Sequence, residues 1–215
     1  MMLKSVSLRQ NYNSESRGFS GTVVVSAGDV DLRASLTDDI SATTWPTLDS
    51  LSLSVEKPGS FAIDYDLPNK DFRFQFKKKV KVLEKPLKLT YTHMMGENQT
   101  SLNGMLELNS ANKLSVDYAF DFGDCKLMYS YAHGGMTLEP CYDFGKKSLD
   151  FTMSQRILDG DLIGASYKTS SKALGLEWSS NSKYSENLRF KISASFDLAK
   201  GLHIPKLNAE STWDF

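Results

Sequence analysis

Arg73, Lys77, Lys79 and Lys81 fall at alternate positions of one short stretch, DFRFQFKKKVKV. In an extended chain, side chains two residues apart project from the same side, about 6.6 Å apart for a rise of about 3.3 Å per residue. That spacing lies inside one Debye length, about 8–10 Å in physiological salt, so the potentials of Lys77, Lys79 and Lys81 add. The chemistry open to such a row is electrostatic: it attracts and holds anions. Two roles fit it, a resting place for anionic solutes or a solvated basic rim.

Other reactive residue types are sparse. His93, His133 and His203 are too scattered for a metal site or a catalytic triad, and Cys125 and Cys141 have neither zinc-site spacing nor the numbers of a disulfide framework. The sequence holds no G-x-G-x-x-G, no phosphate-cradling glycine loop and no nucleophile elbow. An enzyme therefore has no residues to run on, and neither a metal nor a cofactor is expected. With 25 Lys+Arg against 26 Asp+Glu there is no basic surplus to recruit nucleic acid.

The strand that carries the four cations is one of many with the same rhythm. Val30, Leu32, Ala34 and Leu36 alternate with Asp31, Arg33 and Ser35; Leu114, Val116 and Tyr118 alternate with Lys113, Ser115 and Asp117; Leu188, Phe190, Ile192 and Ala194 alternate with Arg189, Lys191 and Ser193. Period-2 alternation marks strands with two chemically different faces. Weaker examples lie near residues 3–12, 19–27, 101–109, 135–142, 161–168 and 173–179. Turn residues such as Lys57-Pro58-Gly59, Pro68-Asn69-Lys70 and Gly134-Gly135 separate the segments. The segments number about sixteen, and an even count from 12 to 16 is expected on consecutive hairpins.

A soluble barrel of about eight strands fills its interior with side chains, but a barrel of twelve or more is too wide to pack. The workable arrangement turns apolar side chains outward to lipid and polar ones inward to water. A Lys or Arg at mid-depth on the lipid face costs roughly 2–4 kcal/mol, which explains why charges keep to one face. Lys78 and His93 break that rule and are expected near an interface. Tyr65, Tyr91, Tyr118, Tyr131, Trp178 and Trp213 stand on apolar faces near segment ends, where headgroup girdles form. Mean hydropathy of −0.34 and the absence of a run of about 18 apolar residues exclude a membrane helix but not a barrel. The N-terminal MMLKSVSLRQNY has no apolar core or cleavage site, so no cleaved signal is expected.

The fold expected is all-β: one transmembrane antiparallel β-barrel domain, residues 1–215, with a polar water-filled lumen. Acids and bases assigned to the inward faces balance, with Asp29 and Asp121 among the acids and Lys172 among the bases, so weak charge selectivity is expected. A soluble lipid- or ligand-binding barrel and a structural barrel without transport remain as alternatives.

Longer strings carry a family resemblance. LSLSVEKPGSFAIDYDLPNKDFRFQF (51–76), CKLMYSYAHGG (125–135), SYKTSSKALGLEWS (166–179) and AESTWDF (209–215) are similar to the 24-kilodalton outer envelope pore proteins of plastids. The resemblance runs over nearly the whole chain. It implies a high-conductance, voltage-dependent and weakly selective channel in the outer envelope of chloroplasts and other plastids. Its implied solutes are triose phosphates, dicarboxylates, phosphate, ATP, sugars and amino acids. Its implied partners are membrane lipid and further copies of the chain, and it brings no catalytic motif.

Overall fold

The alternating stretches become sixteen strands. The computed structural model describes residues 2–13, 17–39, 51–157, 160–181, 187–200 and 206–214. In chain order the strands are β1 (Met2–Asn13), β2 (Arg17–Ala27), β3 (Val30–Asp39), β4 (Leu51–Lys57), β5 (Phe61–Asp66), β6 (Asp71–Val82), β7 (Lys85–Met94) and β8 (Gln99–Glu107). There follow β9 (Asn112–Ala119), β10 (Asp124–His133), β11 (Met136–Asp143), β12 (Ser148–Arg156), β13 (Leu162–Lys168), β14 (Ala173–Asn181), β15 (Leu188–Asp197) and β16 (Lys206–Asp214). Each pairs antiparallel with its sequence neighbours, and β1 pairs with β16 to close a barrel. Closure leaves no open edge, so backbone N–H and C=O groups are satisfied between strands where no water reaches them.

The count stands at the top of the expected range, and every weakly alternating segment is a strand. Pro140 lies inside β11, where the ladder to β10 skips from Cys141 to Leu138. Proline has no N–H to donate, and the gap in pairing accommodates it. His203 lies outside the described residues.

Register assigns the faces. Arg33 stands opposite Val24 and Ser54, Ser54 opposite Asp64, and Asp64 opposite Arg73, so one side of the sheet is polar across the four strands β3 to β6, with Val24 of β2 on the same side. Its reverse carries Leu53, Tyr65 and Phe72 in the same order. Burial tells which side is inside. The buried residues Val24, Ala62, Ser115, Asp143 and Ser148 all lie on the polar face. The exposed large hydrophobics within β2 to β16, among them Phe76 at 53% and Ile192 at 48%, all lie on the other. Among the described residues no large side chain is fully buried. A soluble protein of this length packs a core to crystal-like density. This one turns its apolar surface out, and only a hydrocarbon solvent makes that arrangement favourable.

Aromatic pairs reinforce the outer surface near the strand ends. Tyr65 and Phe72 lie 4.5 Å apart, Tyr118 and Phe120 5.0 Å apart edge to face, and Tyr142 and Phe144 4.9 Å apart edge to face. His93 sits near the end of β7, its ring Nδ1 2.9 Å from the Thr100 hydroxyl. Lys78 stands level with the β4–β5 turn, because the preceding Lys77 N–H donates to Ser60 O. His93 thus stands near a strand end, and Lys78 lies within β6, opposite Leu89 and level with the turn of the adjoining hairpin.

Candidate functional site

A barrel of 16 strands has a lumen wide enough for an aqueous channel. The cavities along it are lined from the polar face. One of about 570 Å³ is bounded by Arg33, Ser54, Asp64, Asp66, Asp71 and Arg73. One of about 770 Å³ is bounded by Arg9, Glu177, Arg189, Lys191, Glu210 and Asp214. A third, of about 330 Å³, has a smooth wall of Gly164, Ser166, Gly175, Ser193 and Ser195. Among the described residues no cluster of His, Cys, Asp and Glu has the arrangement of a metal site.

The barrel has two ends. The terminal mouth holds the start of β1 and the end of β16, and the distal mouth holds the β5–β6, β7–β8, β9–β10 and β11–β12 turns. Strand β6 runs from the distal to the terminal mouth, and its alternation puts Arg73, Lys77, Lys79 and Lys81 on the polar face together with Asp71 and Gln75. The four are not equivalent. Arg73 bonds Asp64 through both Nε, at 2.8 Å, and Nη2, at 2.7 Å. Lys77 reaches past β5 to Glu56 at 2.9 Å, over Ala62, whose small side chain is buried beneath it. Lys79 and Lys81 have no ion pair within 4.0 Å among the described residues. Lys79 stands directly opposite Lys88 on β7. Cations facing each other across a ladder repel, and here Glu107 on β8 relieves the strain, accepting from Lys88 at 2.5 Å.

Other inward charges are paired as well: Lys4 reaches past β2 to Asp31 at 2.5 Å, and between neighbouring strands Arg9 pairs with Glu210 at 3.1 Å, Arg33 with Glu56 at 3.8 Å, Lys191 with Glu177 at 2.9 Å, and Arg189 with Asp214. Three inward assignments from sequence are corrected. Asp29, Asp121 and Lys172 lie in turns, because the alternation of the flanking strands runs on into the chain reversal. Asp29 instead bonds Lys57 across the terminal mouth, and that hydrogen bond and positive charge hold its carboxyl below the ordinary 3.8. Sequence reading left out Arg9, Asp124, Glu139 and Asp143, all inward. The alternation of Leu138 and Tyr142 with Glu139, Cys141 and Asp143 was the available signal.

The family model described as Outer envelope pore protein 24 matches residues 3–215. Outer envelope pore protein 24B, chloroplastic, of Arabidopsis thaliana is 47% identical, over 99% of both chains. Outer envelope pore protein 24, chloroplastic, of Oryza sativa subsp. indica is 40% identical, over 88% of both. Among solved structures, a triple mutant of the Rhodopseudomonas blastica porin superposes with a TM-score of 0.63 at 9% identity, covering 100% of this chain and 99% of that one. The Acinetobacter baumannii outer membrane protein Omp33 superposes with a TM-score of 0.54 at 11% identity, over 100% and 99%. These two likenesses are of fold. With a closed barrel, an outward apolar surface and a charged lumen, the chain belongs to the outer envelope pore protein 24 family, β-barrel pores of the chloroplast outer envelope.

Proposed function

We propose that the barrel is a wide, water-filled diffusion channel for small metabolites, with high conductance, voltage dependence and weak charge selectivity. The observation that carries this reading is the inverted burial: charge lines the inside of a sixteen-strand barrel and apolar residues cover its outside. A diffusion pore needs an aqueous path without a deep binding site. Near-balance of total charge, 25 against 26, supports weak selectivity. The solutes, which on this reading include triose phosphates, dicarboxylates, phosphate, ATP, sugars and amino acids, are supported by family membership alone, as are voltage dependence and assembly as a homo-oligomer.

Within this reading Arg73, Lys77, Lys79 and Lys81 form a transient resting place for anions. Lys79 and Lys81 carry most of it, because a carboxylate already answers each of the other two.

The test is a planar bilayer with purified protein and a salt gradient. Open channels with a reversal potential well short of the Nernst limit for either ion are expected. A protein that resists alkaline carbonate extraction yet never conducts would be a structural barrel, and the channel reading would fall.

A further inference from the structure

On the wall formed by β5 to β12, net charge is sorted along the axis, although Arg73 and Lys126 stand among the distal acids and Glu107 among the terminal bases. Asp64, Asp66 and Asp71 lie at the distal ends of β5 and β6, and Lys77, Lys79 and Lys81 lie toward the terminal end of β6. Strand β9 repeats the order, with Asp117 distal and Lys113 terminal. Between the two lie uncharged inward residues: Gln75, Thr90, Thr92, Asn103, Met105 and Met128.

The manner in which the acids are held makes the sorting effective. Asp66 accepts from the Asn69 amide at 2.8 Å, Asp71 from Gly96 N–H at 2.5 Å, and Asp117 from the Asn103 amide at 2.6 Å. These donors are neutral. They fix these carboxylates without neutralising them, whereas Asp64 is paired with Arg73 and Asp117 has Lys126 opposite it on β10. Asp66 and Asp71 even stand opposite each other with no cation between them. The turn lysines Lys70, Lys146 and Lys147 are exposed beyond these strand ends, where solvent screens them. At the other pole Lys79, Lys81 and Lys113 have no ion pair within 4.0 Å among the described residues.

Asp71 and Lys79 are eight residues apart. That is about 26 Å along the strand, or roughly 20 Å along the axis at a tilt of about 40°. The distance exceeds two Debye lengths of about 8 Å in physiological salt, so the poles act as separate charged zones rather than cancelling as a pair.

We propose that the pore is polar along its axis, so that it rectifies ionic current and takes up multivalent phosphate anions at the terminal mouth. This rests on the channel reading above. The sign follows from supply. When the distal side is positive, cations enter through the acidic zone and anions through the basic zone, and both accumulate in the neutral middle. When the field reverses, both are swept out of the middle and conductance falls.

Single open channels in symmetric 0.05 M salt test this, with instantaneous current read at +100 and −100 mV. The larger current is expected to exceed the smaller by roughly 1.5- to 3-fold, and the ratio to fall to about 1 in 1 M salt, where the Debye length is about 3 Å. Inorganic tripolyphosphate is the second probe. In each channel it should block from one side only, and that side should be the one whose negative bias gives the larger current. Lys79→Glu with Lys81→Glu and Lys88→Glu turns the net charge of the terminal zone from basic to acidic, and both effects should vanish; should that variant not insert, the salt series and the one-sided block on the native protein decide. A symmetric current at low salt, a ratio unchanged in 1 M salt, or equal block from both sides overturns the proposal while leaving the channel reading intact. Failure to conduct at all would overturn the channel reading instead.

Discussion

On β14 to β16 and β1 to β4, the inward cations Lys4, Arg9, Arg33, Arg189 and Lys191 each stand within 4.0 Å of a carboxylate. On β5 to β12 most acids gather near one mouth and most bases near the other, and several of each have no ionic partner among the described residues. The two walls use the same residue types. A cation and an anion about 3 Å apart form a dipole whose field fades quickly, whereas charges separated by more than a Debye length each set the local ion composition. Arrangement, more than net charge, should therefore determine how each wall affects a passing ion.

The largest effects should separate the walls. Reversing Lys79, Lys81 and Lys88 to Glu changes the local charge by six units, and the reversal potential should move clearly toward cations, by roughly two-fold or more in permeability ratio at low salt. Exchanging a pair on the other wall, Lys191→Glu with Glu177→Lys, keeps a dipole in place and should leave the ratio within experimental scatter. Equal shifts from both changes would erase the distinction between the walls.

Glu56 stands at the boundary, shared by Arg33 at 3.8 Å and Lys77 at 2.9 Å. Glu56→Gln frees both cations and should raise anion permeability, by less than the triple reversal lowers it. No change at low salt would mean that Lys77 lies outside the conduction path. A smaller effect, this time on stability, is expected at the distal mouth. A Cβ added at Gly96 would lie 2.8 Å from Asp71 Cγ. Gly96→Ala should push Asp71 off its N–H donor and cost about 1 kcal/mol, the scale of one hydrogen bond, in detergent unfolding by urea. Native stability in Gly96→Ala would show that the Asp71 contact is dispensable.

Alternation made most of the architecture legible in the amino-acid sequence. Phe72, Phe74 and Phe76 against Arg73, Gln75 and Lys77 leave one solution for β6 once the barrel is too wide to fill. Register was not legible, and the site depends on it. Nothing local to Lys79 says that Lys88 faces it, and nothing local to Lys77 says that Glu56, 21 residues earlier, lies within reach over Ala62. Met105, Met128 and Cys141 were hidden for another reason: they face inward although apolar, so they blur the very pattern that reveals a strand. Turn residues misled in the opposite direction, since Asp29, Asp121 and Lys172 keep the rhythm of strands that have already ended.

The smallest effect concerns the Asp29–Lys57 contact, which ties the β2–β3 turn to the end of β4 at the terminal mouth. Lys57 holds the Asp29 carboxyl below its ordinary value of 3.8, first by hydrogen bonding and then by charge. A carboxyl depressed in the folded state stabilises the fold above its unfolded value, and the contribution disappears as pH falls through the folded value. Both groups are solvent-exposed, so screening keeps the contribution small. Asp29→Asn should therefore lower the unfolding temperature slightly at pH 7 and low salt. The difference from the native protein should shrink as pH drops below about 4, where the native carboxylate is itself being protonated. Raising the salt at pH 7 should shrink it as well, through screening alone. Equal destabilisation at every pH would mean that the side chain contributes by shape, and that the ion pair has no energetic role at this rim.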